Sequence, residues 1–186
     1  MLVMVADKKL LREQMRALRL AVSQEERRLA EEKLALIFAQ KNNFPEHKII
    51  AGYAAHDSEL NLWNLLENLA RDGKIIALPI VAKKGAPLEF RQWQLDDKLQ
   101  KNIYGILEPR ADSVAIIPDM ILLPGLAFDR KNFRLGYGGG FYDITLAALK
   151  NDGRKPLTIG LGYELQRVET VFPEEHDQAL DQILLL

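Results

Sequence analysis

The chain has 186 residues, with 25 basic and 26 acidic side chains and a formal net charge of −1. This length favours one domain over residues 1–186, and the charge provides no general attraction to nucleic acid or to an anionic membrane. The sequence contains no cysteine and three scattered histidines, which excludes disulfides and thiolate metal sites and argues against a histidine-based zinc site. The amino-terminal residues lack the long apolar core of a signal peptide, so we expect a cytoplasmic protein.

The first part of the chain reads as two helices followed by strands. Apolar spacing predicts a helix over residues 6–22, and the capping-box pattern at residues 23–26 opens a second helix that runs to Gln40. A loop over residues 41–47 follows. Beyond it, apolar runs predict strands at 49–55, 75–81 and 88–93. A helix at 62–71, which ends at an Asp-Gly pair, lies between the first two strands.

The second part continues this alternation after a long connection. Residues 94–117 lack clear periodicity, and beyond them we expect strands at 119–124, 157–163 and 183–186 and a helix at 141–150. Phe90 and Trp93 are interpreted as core residues, although Trp93 could also cover a flat ligand ring. Strands that alternate with helices predict an α/β fold, a three-layer α/β/α arrangement with a mostly parallel, Rossmann-like central sheet. Ligands bind such sheets at the carboxyl ends of the strands.

Four glycines occur within residues 136–140, in the stretch RLGYGGGFYD that opens with Arg134 and closes with Asp143. This glycine segment (residues 136–140) lies between a predicted strand and a predicted helix, where successive backbone N–H groups can surround an anion. A tight turn that lets the helix pack on the sheet would also need glycines, and we expect Gly139 to adopt a positive φ. Neither GxGxxG nor the P-loop pattern is matched, so the glycines alone leave both interpretations open.

The charged residues around the glycine segment suit a phosphate and metal site. Arg134 presents a planar fork of donors to phosphate oxygens, and Asp143 could hold Mg²⁺ beside the phosphate or simply stabilise the start of the helix. Near the carboxyl terminus, Asp177 and Asp181 are four residues apart, and either could complete a magnesium site with Asp143. Both are equally compatible with ordinary loop carboxylates, and His176 beside them is interpreted as a surface or packing residue.

Further candidates come from the amino-terminal half. Lys8 and Arg12 are four residues apart, so they share a helix face and could, with Arg16, direct a basic ridge at a triphosphate. A solvated helix face would show the same pattern. Glu59, in the loop after the first strand, could bind a polar ligand group or act as an ordinary acid at a helix start.

Residues 124–143, PGLAFDRKNFRLGYGGGFYD, resemble the signature of the 5-formyltetrahydrofolate cyclo-ligase family. Other stretches resemble the family in the same order along the chain: KKLLR (residues 8–12), YAAHDSELN (residues 53–61), FRQW, GILEP and PEEHDQALD. The resemblance implies an enzyme that uses ATP and Mg²⁺ to convert 5-formyltetrahydrofolate to 5,10-methenyltetrahydrofolate. The formyl oxygen would take the γ-phosphoryl group to give an iminium phosphate, and ADP and phosphate would be released.

The resemblance also implies roles for individual residues. ATP would contact Lys8, Arg12 and the residues of 134–142, namely Arg134, Leu135, Gly136, Tyr137, Gly138, Gly139, Gly140, Phe141 and Tyr142, of which Arg134 and Tyr142 would be catalytic. The folate would contact Ala54, Glu59, Tyr137, Gly138, Gly139, Gly140 and Phe141. Mg²⁺ would bind Asp143 and Asp177. The implied partners are ATP and 5-formyltetrahydrofolate, with no nucleic acid or membrane, and the implied state is a monomer.

The sequence departs from the family pattern at three places. Tyr137 and Gly139 stand where some relatives carry basic residues, and Ile144 stands where bacterial relatives often have arginine. Asn61 lies in the stretch after Glu59, where an acidic residue and threonine are common. Two alternatives remain beside the ligase: a non-catalytic folate- or nucleotide-binding protein of the same fold, and a different sugar-phosphate or CoA-handling α/β enzyme.

Overall fold

The computed structural model of the chain describes residues 7–40 and 46–186. Within these ranges the α-helices are α1 Lys8–Leu20, α2 Gln24–Gln40, α3 Trp63–Arg71 and α4 Phe141–Asn151. The strands are β1 Ile49–Ala51, β2 Ile75–Ile80, β3 Glu89–Trp93, β4 Gln100–Lys101, β5 Leu107–Glu108, β6 Met120–Leu123, β7 Ala127–Asp129, β8 Arg134–Leu135, β9 Leu157–Gly162, β10 Arg167–Val168 and β11 Gln182–Leu185. Among the described helices, none has the length and apolar character needed to cross a membrane.

The predicted helices and the predicted strands all form, and their bounds differ from the predictions by a few residues at most. The largest difference is at β1, where the regular strand ends at Ala51 and the predicted residues 52–55 continue as a loop. Residue 6 of the predicted first helix and residues 41–45 of the predicted loop lie outside the described residues.

Six strands of the described ranges form the main sheet, in the order β11-β9-β6-β1-β2-β3. Each neighbouring pair is parallel except β2 and β3, which pair antiparallel with Ile76 opposite Trp93. Counted in chain order, these strands follow the 3-2-1-4-5-6 arrangement of a doubly wound sheet. The predicted α/β fold with a mostly parallel, Rossmann-like sheet is confirmed, and the strand order reverses between β1 and β6.

Helices cover both faces of this sheet. On one face, α2 and α3 bury Leu34 and Leu66 in the same cluster as Ile50 of the central strand. On the other face, Leu146 of α4 belongs to a cluster with Ile121. Strand β6 is buried at each of its 4 residues, because a central parallel strand meets an apolar layer on either side. These two faces produce the predicted three-layer arrangement.

The aromatic residues of β3 belong to the core, as expected. Phe90 is 5% exposed and Trp93 is 7% exposed. The Trp93 ring packs against Trp63 at the start of α3, with 5.4 Å between ring centroids. Trp93 therefore joins β3 to α3 and does not cover a ligand ring.

A small sheet that the sequence analysis does not predict holds the glycine segment. Strands β10, β7 and β8 form it, and Leu11 and Met15 of α1 belong to its apolar cluster. The Asp129 carboxylate fixes the turn between β7 and β8 by accepting hydrogen bonds from two backbone N–H groups at 2.9 and 3.1 Å. Strand β8 ends at Leu135, directly before the glycine segment, so this sheet determines where the segment begins.

A hairpin of β4 and β5 occupies part of residues 94–117, which the sequence analysis treats as an irregular connection. The Asn102 side-chain oxygen accepts hydrogen bonds from the backbone N–H groups of Tyr104 (2.9 Å) and Ile106 (3.1 Å). Gly105 completes the turn with a φ of +76°. Strands of 2 residues are too short to show alternation, which is why periodicity does not reveal them.

Candidate functional site

A cleft of about 760 Å³ opens at the carboxyl ends of β1, β2 and β6. Tyr53 and Ala54 after β1, Val81 after β2 and Pro124 after β6 line it. The cleft therefore lies at the reversal of strand order between β1 and β6, where doubly wound sheets bind ligands.

Every residue that the family resemblance assigns to ATP, folate or Mg²⁺ lines this one cleft: Lys8, Arg12, Ala54, Glu59, Arg134, Leu135, Gly136, Tyr137, Gly138, Gly139, Gly140, Phe141, Tyr142, Asp143 and Asp177. These residues come from α1, from the loop after β1, from β8, the glycine segment and the start of α4, and from the loop before β11. The structure brings them together, and their individual roles stay predictions.

The glycine segment makes its left-handed turns at Gly138 (φ +100°) and Gly140 (φ +67°). The expected positive φ at Gly139 is wrong, because the residues on either side of it take up the change of direction. Space is the constraint at Gly139, since a β-carbon there would lie 2.8 Å from the Phe141 ring, which would have to move. Gly140 is the N-cap residue of α4, so the segment brings the N–H groups of the first helical turn to the cleft.

Arg134 and Asp143 form an ion pair at the back of the glycine segment. The Arg134 Nη2 donates to Asp143 Oδ2 at 2.9 Å, and the Arg134 side chain is 4% exposed. A β-carbon at Gly136 would lie 2.8 Å from Arg134 Nη1, so the guanidinium passes close beneath the segment. It also lies 5.1 Å from the centroid of the Tyr142 ring. Burial raises the pKa of Tyr142 well above its usual value, so this phenol stays protonated.

Helix α1 brings two cations to the cleft. The Arg12 Nε donates to the Gly136 carbonyl at 2.9 Å, which ties α1 to the glycine segment. The Lys8 Nζ donates to Asp177 Oδ2 at 2.6 Å and lies 2.9 Å from Glu174 Oε1. We call Lys8 and Arg12 the α1 cations.

The ion pair between Lys8 and Asp177 keeps both groups charged. Burial by itself would lower the pKa of Lys8 and raise the pKa of Asp177. Burial is the largest single cause at each group, but the hydrogen bonds and charges of the partners together outweigh it, so the pKa of Lys8 is raised and the pKa of Asp177 is lowered.

Arg16 does not belong to the predicted basic ridge. Its Nε donates to Asp57 Oδ2 at 2.8 Å, and its side chain is 57% exposed. Arg16 does not line the cleft. Asp57 adopts a positive φ at the tip of the loop after β1, and this places its carboxylate within reach of Arg16.

Glu59 is a buried acid in the loop after β1. Its carboxylate accepts a hydrogen bond from the His56 backbone N–H at 2.8 Å. Burial raises the pKa of Glu59 to about 7, although the His56 N–H, the Arg19 charge and the Tyr137 hydroxyl each act to lower it. Near neutral pH this carboxyl can therefore either donate or accept a hydrogen bond.

Two of the predicted carboxylates suit a magnesium ion that is bound mainly by phosphate. Within the described residues, no group of three or more acidic or histidine side chains could hold a metal ion. Asp143 and Asp177 line the cleft, and Mg²⁺ commonly takes one or two carboxylates together with phosphate oxygens and water. The alternative ligand Asp181 is wrong, because it does not line the cleft: its carboxylate accepts hydrogen bonds from the N–H and hydroxyl of Thr158 on β9, at 2.8 and 2.7 Å.

The sequence analysis misses one wall of the cleft. Residues on the turn after β2 and on the β4–β5 hairpin line it: Lys84, Leu88, Asn102, Tyr104, Ile106 and Leu107. The Tyr104 ring meets the Phe141 ring edge to face, with 5.9 Å between centroids. The Asn102–Gly105 spacing inside an apolar stretch is a turn signal that could have indicated this hairpin.

Comparison with known proteins assigns the chain to a family. The sequence model of the 5-formyltetrahydrofolate cyclo-ligase family matches residues 4–185. The 5-formyltetrahydrofolate cyclo-ligase of Haemophilus influenzae is 35% identical over 143 residues, which cover 74% of this chain and 75% of that protein. The solved structure of 5,10-methenyltetrahydrofolate synthetase from Aquifex aeolicus matches with a TM-score of 0.80 and 28% identity, over 95% of this chain and 88% of that chain. The Mycoplasma pneumoniae synthetase matches with a TM-score of 0.76 and 25% identity, over 95% and 97% of the two chains. The chain therefore belongs to the 5-formyltetrahydrofolate cyclo-ligase family.

Proposed function

We propose that the protein catalyses the ATP-dependent conversion of 5-formyltetrahydrofolate to 5,10-methenyltetrahydrofolate, with release of ADP and phosphate. The observation that carries this proposal is the cleft between β1 and β6, where the α1 cations meet the glycine segment and the buried acid Glu59. Such a cleft offers cations and backbone N–H groups to a triphosphate, and an uncharged or charged carboxyl to a polar ring. Membership of the family supports the choice of reaction.

The reaction needs phosphorylation because an amide oxygen is a poor leaving group. In the first step, the formyl oxygen attacks the γ-phosphorus of ATP, the bond to the β-phosphate oxygen breaks, and ADP leaves. In the second step, the neighbouring bridge nitrogen of the folate attacks the activated formyl carbon and loses its proton. The bond from that carbon to oxygen then breaks, and phosphate leaves as the new ring is completed. The protein has to align the oxygen with phosphorus and neutralise charge.

The α1 cations and the glycine segment are assigned to the phosphates of ATP. Lys8 and Arg12 at present donate to Asp177 and to the Gly136 carbonyl, and phosphate oxygens would offer each of them a charged acceptor. Backbone N–H groups over residues 135–142 would surround the same phosphates. Arg134 and Tyr142 are assigned to the reacting phosphoryl group, the guanidinium to neutralise charge and the protonated phenol to donate a hydrogen bond.

Asp143 and Asp177 are assigned to the Mg²⁺ that accompanies ATP. When bound, this ion would neutralise negative charge on the phosphates. Asp143 now accepts from Arg134, and Asp177 accepts from Lys8. Each carboxylate that turns to a metal ion would leave its present cation available to a phosphate oxygen, so the exchange conserves the charge balance of the cleft.

The loop after β1 is assigned to the folate. Glu59 would hydrogen-bond a polar edge of the ring system, with the Ala54 backbone beside it. Tyr137, Phe141 and the glycines between them would form the adjoining wall. Because the pKa of Glu59 is about 7, this carboxyl can match either a donor or an acceptor on the ring.

An absorbance assay tests the proposal. The protein is incubated with ATP, Mg²⁺ and 5-formyltetrahydrofolate, and the absorbance of the conjugated methenyl product is followed. Product that requires ATP supports the proposal, and product without ATP contradicts the phosphorylation step. Tight binding of both ligands without product would favour a non-catalytic folate- or nucleotide-binding protein.

We further propose a single-domain, cytoplasmic monomer whose partners are ATP and 5-formyltetrahydrofolate, without nucleic acid or membrane partners. The central sheet, whose two faces each carry an apolar cluster, supports a single domain, and the net charge of −1 provides no general attraction to nucleic acid or an anionic membrane. Size-exclusion chromatography with light scattering should give the mass of one chain. A dimer mass would contradict the monomer.

A further inference from the structure

Arg19, in the last turn of α1, is completely buried, with 0% of its side chain exposed. Its Nε donates to Ser58 Oγ at 2.9 Å, and its Nη1 donates to the Gly125 carbonyl at 3.0 Å. Its Nη2 donates to the Tyr137 hydroxyl. One guanidinium thus joins the loop after β1, the loop after β6 and the glycine segment.

These contacts are directional and only weakly charge-paired. The nearest carboxylate with an ion-pair distance is Asp57 Oδ2, 3.9 Å from Arg19 Nη2, and that oxygen already accepts from Arg16 at 2.8 Å. Burying a guanidinium is costly, and an apolar side chain at such a position often leaves a protein as stable or more stable. Stability alone is therefore a weak reason for an arginine here, whereas the fixed fork of donors can hold three loops at defined separations.

Tyr137 is the contact that reaches the cleft. Its ring is 44% exposed and lines the cleft, while its hydroxyl accepts from Arg19 below. The Arg19 guanidinium lies 5.5 Å from the centroid of this ring, and the His56 ring meets it edge to face at 6.0 Å. Ser58, the second partner of Arg19, directly precedes Glu59.

We propose that Arg19 is a positioning residue that holds the glycine segment, through Tyr137, at a defined separation from the loop that carries Glu59. It lies beneath the cleft and does not line it. The distance between the phosphate side and the folate side of the cleft is then set by one buried side chain of α1. The identity of the ligands in this inference rests on the proposed function, but the positioning itself does not.

Hydrogen–deuterium exchange of the ligand-free protein tests the positioning without reference to any reaction. In Arg19→Met and in Tyr137→Phe, peptides that cover residues 134–143 should exchange several-fold faster than in the wild type. Peptides over residues 53–61 should also exchange faster in both variants, because Ser58 loses its donor in Arg19→Met and Glu59 loses the Tyr137 hydroxyl in Tyr137→Phe. Arg28→Met on the exposed face of α2, where the Arg28 side chain is 54% exposed, is the matched control and should change neither region.

Kinetics then test what the positioning does. Loss of a hydrogen bond to a charged donor should raise the KM for 5-formyltetrahydrofolate by about tenfold in Arg19→Met. Arg19→Lys keeps the charge but cannot reach three partners, so it should recover less than half of this loss. The losses in the double variant Arg19→Met/Tyr137→Phe should be less than additive, because both changes break the same link.

Three outcomes would overturn the proposal. Arg19→Met with a lower melting temperature but unchanged exchange over residues 134–143 would make Arg19 a merely structural residue. Additive losses in the double variant would place Tyr137 and Arg19 in separate roles. If Arg19→Met does not fold, Tyr137→Phe decides, since unchanged exchange in that variant contradicts the link. If the wild-type protein makes no product, the proposed function is contradicted, and the exchange experiment still decides whether Arg19 positions the glycine segment.

Discussion

The glycine segment and helix α1 form adjoining walls of the cleft, and they bring different chemistry to it. Between Arg134 and Asp143 the chain carries no basic side chain, so the glycine segment offers backbone N–H groups and shape. Helix α1 offers charge, through Lys8 and Arg12. The contact between Arg12 and the Gly136 carbonyl joins residues 124 apart in sequence. Charge and geometry are therefore supplied by different parts of the chain.

This division explains the departure at Tyr137. A basic side chain there would place a second positive charge close to the buried Arg19. A phenol instead accepts a hydrogen bond from that guanidinium. Apart from Arg134, which is paired with Asp143, the positive charge next to the glycine segment comes from α1, at Lys8, Arg12 and Arg19.

The largest effect on ATP affinity is expected from removing the α1 cations while the glycine segment is left unchanged. Lys8→Ala/Arg12→Ala should reduce ATP affinity by about a hundredfold or more, because two charged hydrogen-bond donors are lost. Isothermal titration calorimetry with ATP and Mg²⁺ measures it. Lys9→Ala is the matched control, since Lys9 is an exposed cation of the same helix. Equal affinity in the double variant and the control would show that the glycine segment binds ATP without α1.

A change at Glu59 tests whether the proposed folate-binding loop acts independently of the glycine segment and α1, which are assigned to ATP. Its pKa is raised from 4.5 to about 7, so the folded protein keeps a proton that the unfolded chain releases between these pH values. The resulting stabilisation is fully present below pH 4.5 and is lost as pH rises towards 7, by up to about 1.4 kcal/mol per pH unit.

Urea denaturation of the wild type and Glu59→Gln between pH 5 and 8 measures this loss. The free energy of unfolding of the wild type, relative to the variant, should fall with pH up to about 7 and then level off. ATP affinity should be the same in both proteins. A flat difference would contradict the raised pKa, and a large change in ATP affinity would contradict the separation of the two sides.

A change in the shape of the glycine segment that leaves the α1 cations in place should have a smaller effect on ATP affinity. Gly138→Ala places a side chain at φ +100°, with its β-carbon 3.7 Å from the Arg12 guanidinium carbon. We expect a loss of roughly 1–2 kcal/mol in the free energy of unfolding and about a tenfold loss of ATP affinity.

Gly153→Ala is the matched control for this change. Gly153 has a φ of +74° and open space around it, just after the end of α4. It should lose similar stability and keep its ATP affinity. If both variants bind ATP like the wild type, the glycine segment is a turn and not an anion-binding loop.

The smallest effect is expected at Gly139. Its φ is ordinary, so Gly139→Ala avoids backbone strain, and the Phe141 ring has to move away from the new methyl group. A few-fold rise in the KM for 5-formyltetrahydrofolate is expected, with little change in melting temperature. If Gly139→Ala lost as much ATP affinity and stability as Gly138→Ala, the glycine segment would tolerate no added side chain at either position.

The sequence predicts the main sheet well because the signals are local. Runs such as the strand at 120–123 are apolar throughout, and the helices have caps or terminal glycines that mark their ends. The β4–β5 hairpin and the small sheet are missed because their strands are 2 or 3 residues long, and because β10 joins the small sheet from a distant part of the chain. The site residues were found largely through resemblance to a family, since spacing alone left each of them ambiguous.

Local sequence signals are enough to predict the alternation of strands and helices and the glycine-rich turn before α4, because periodicity and turn chemistry act over a few neighbouring residues. Tertiary structure alone decided which charged residues meet at that turn. It selected Arg12 and not Arg16, and Asp177 and not Asp181, although each pair is four residues apart on the chain. The physical reason is that these choices depend on how two distant parts of the chain pack against the glycine segment. Helix α1 is more than a hundred residues away from the glycine segment along the chain, and the loop before β11 is about forty residues away. No local pattern encodes that packing.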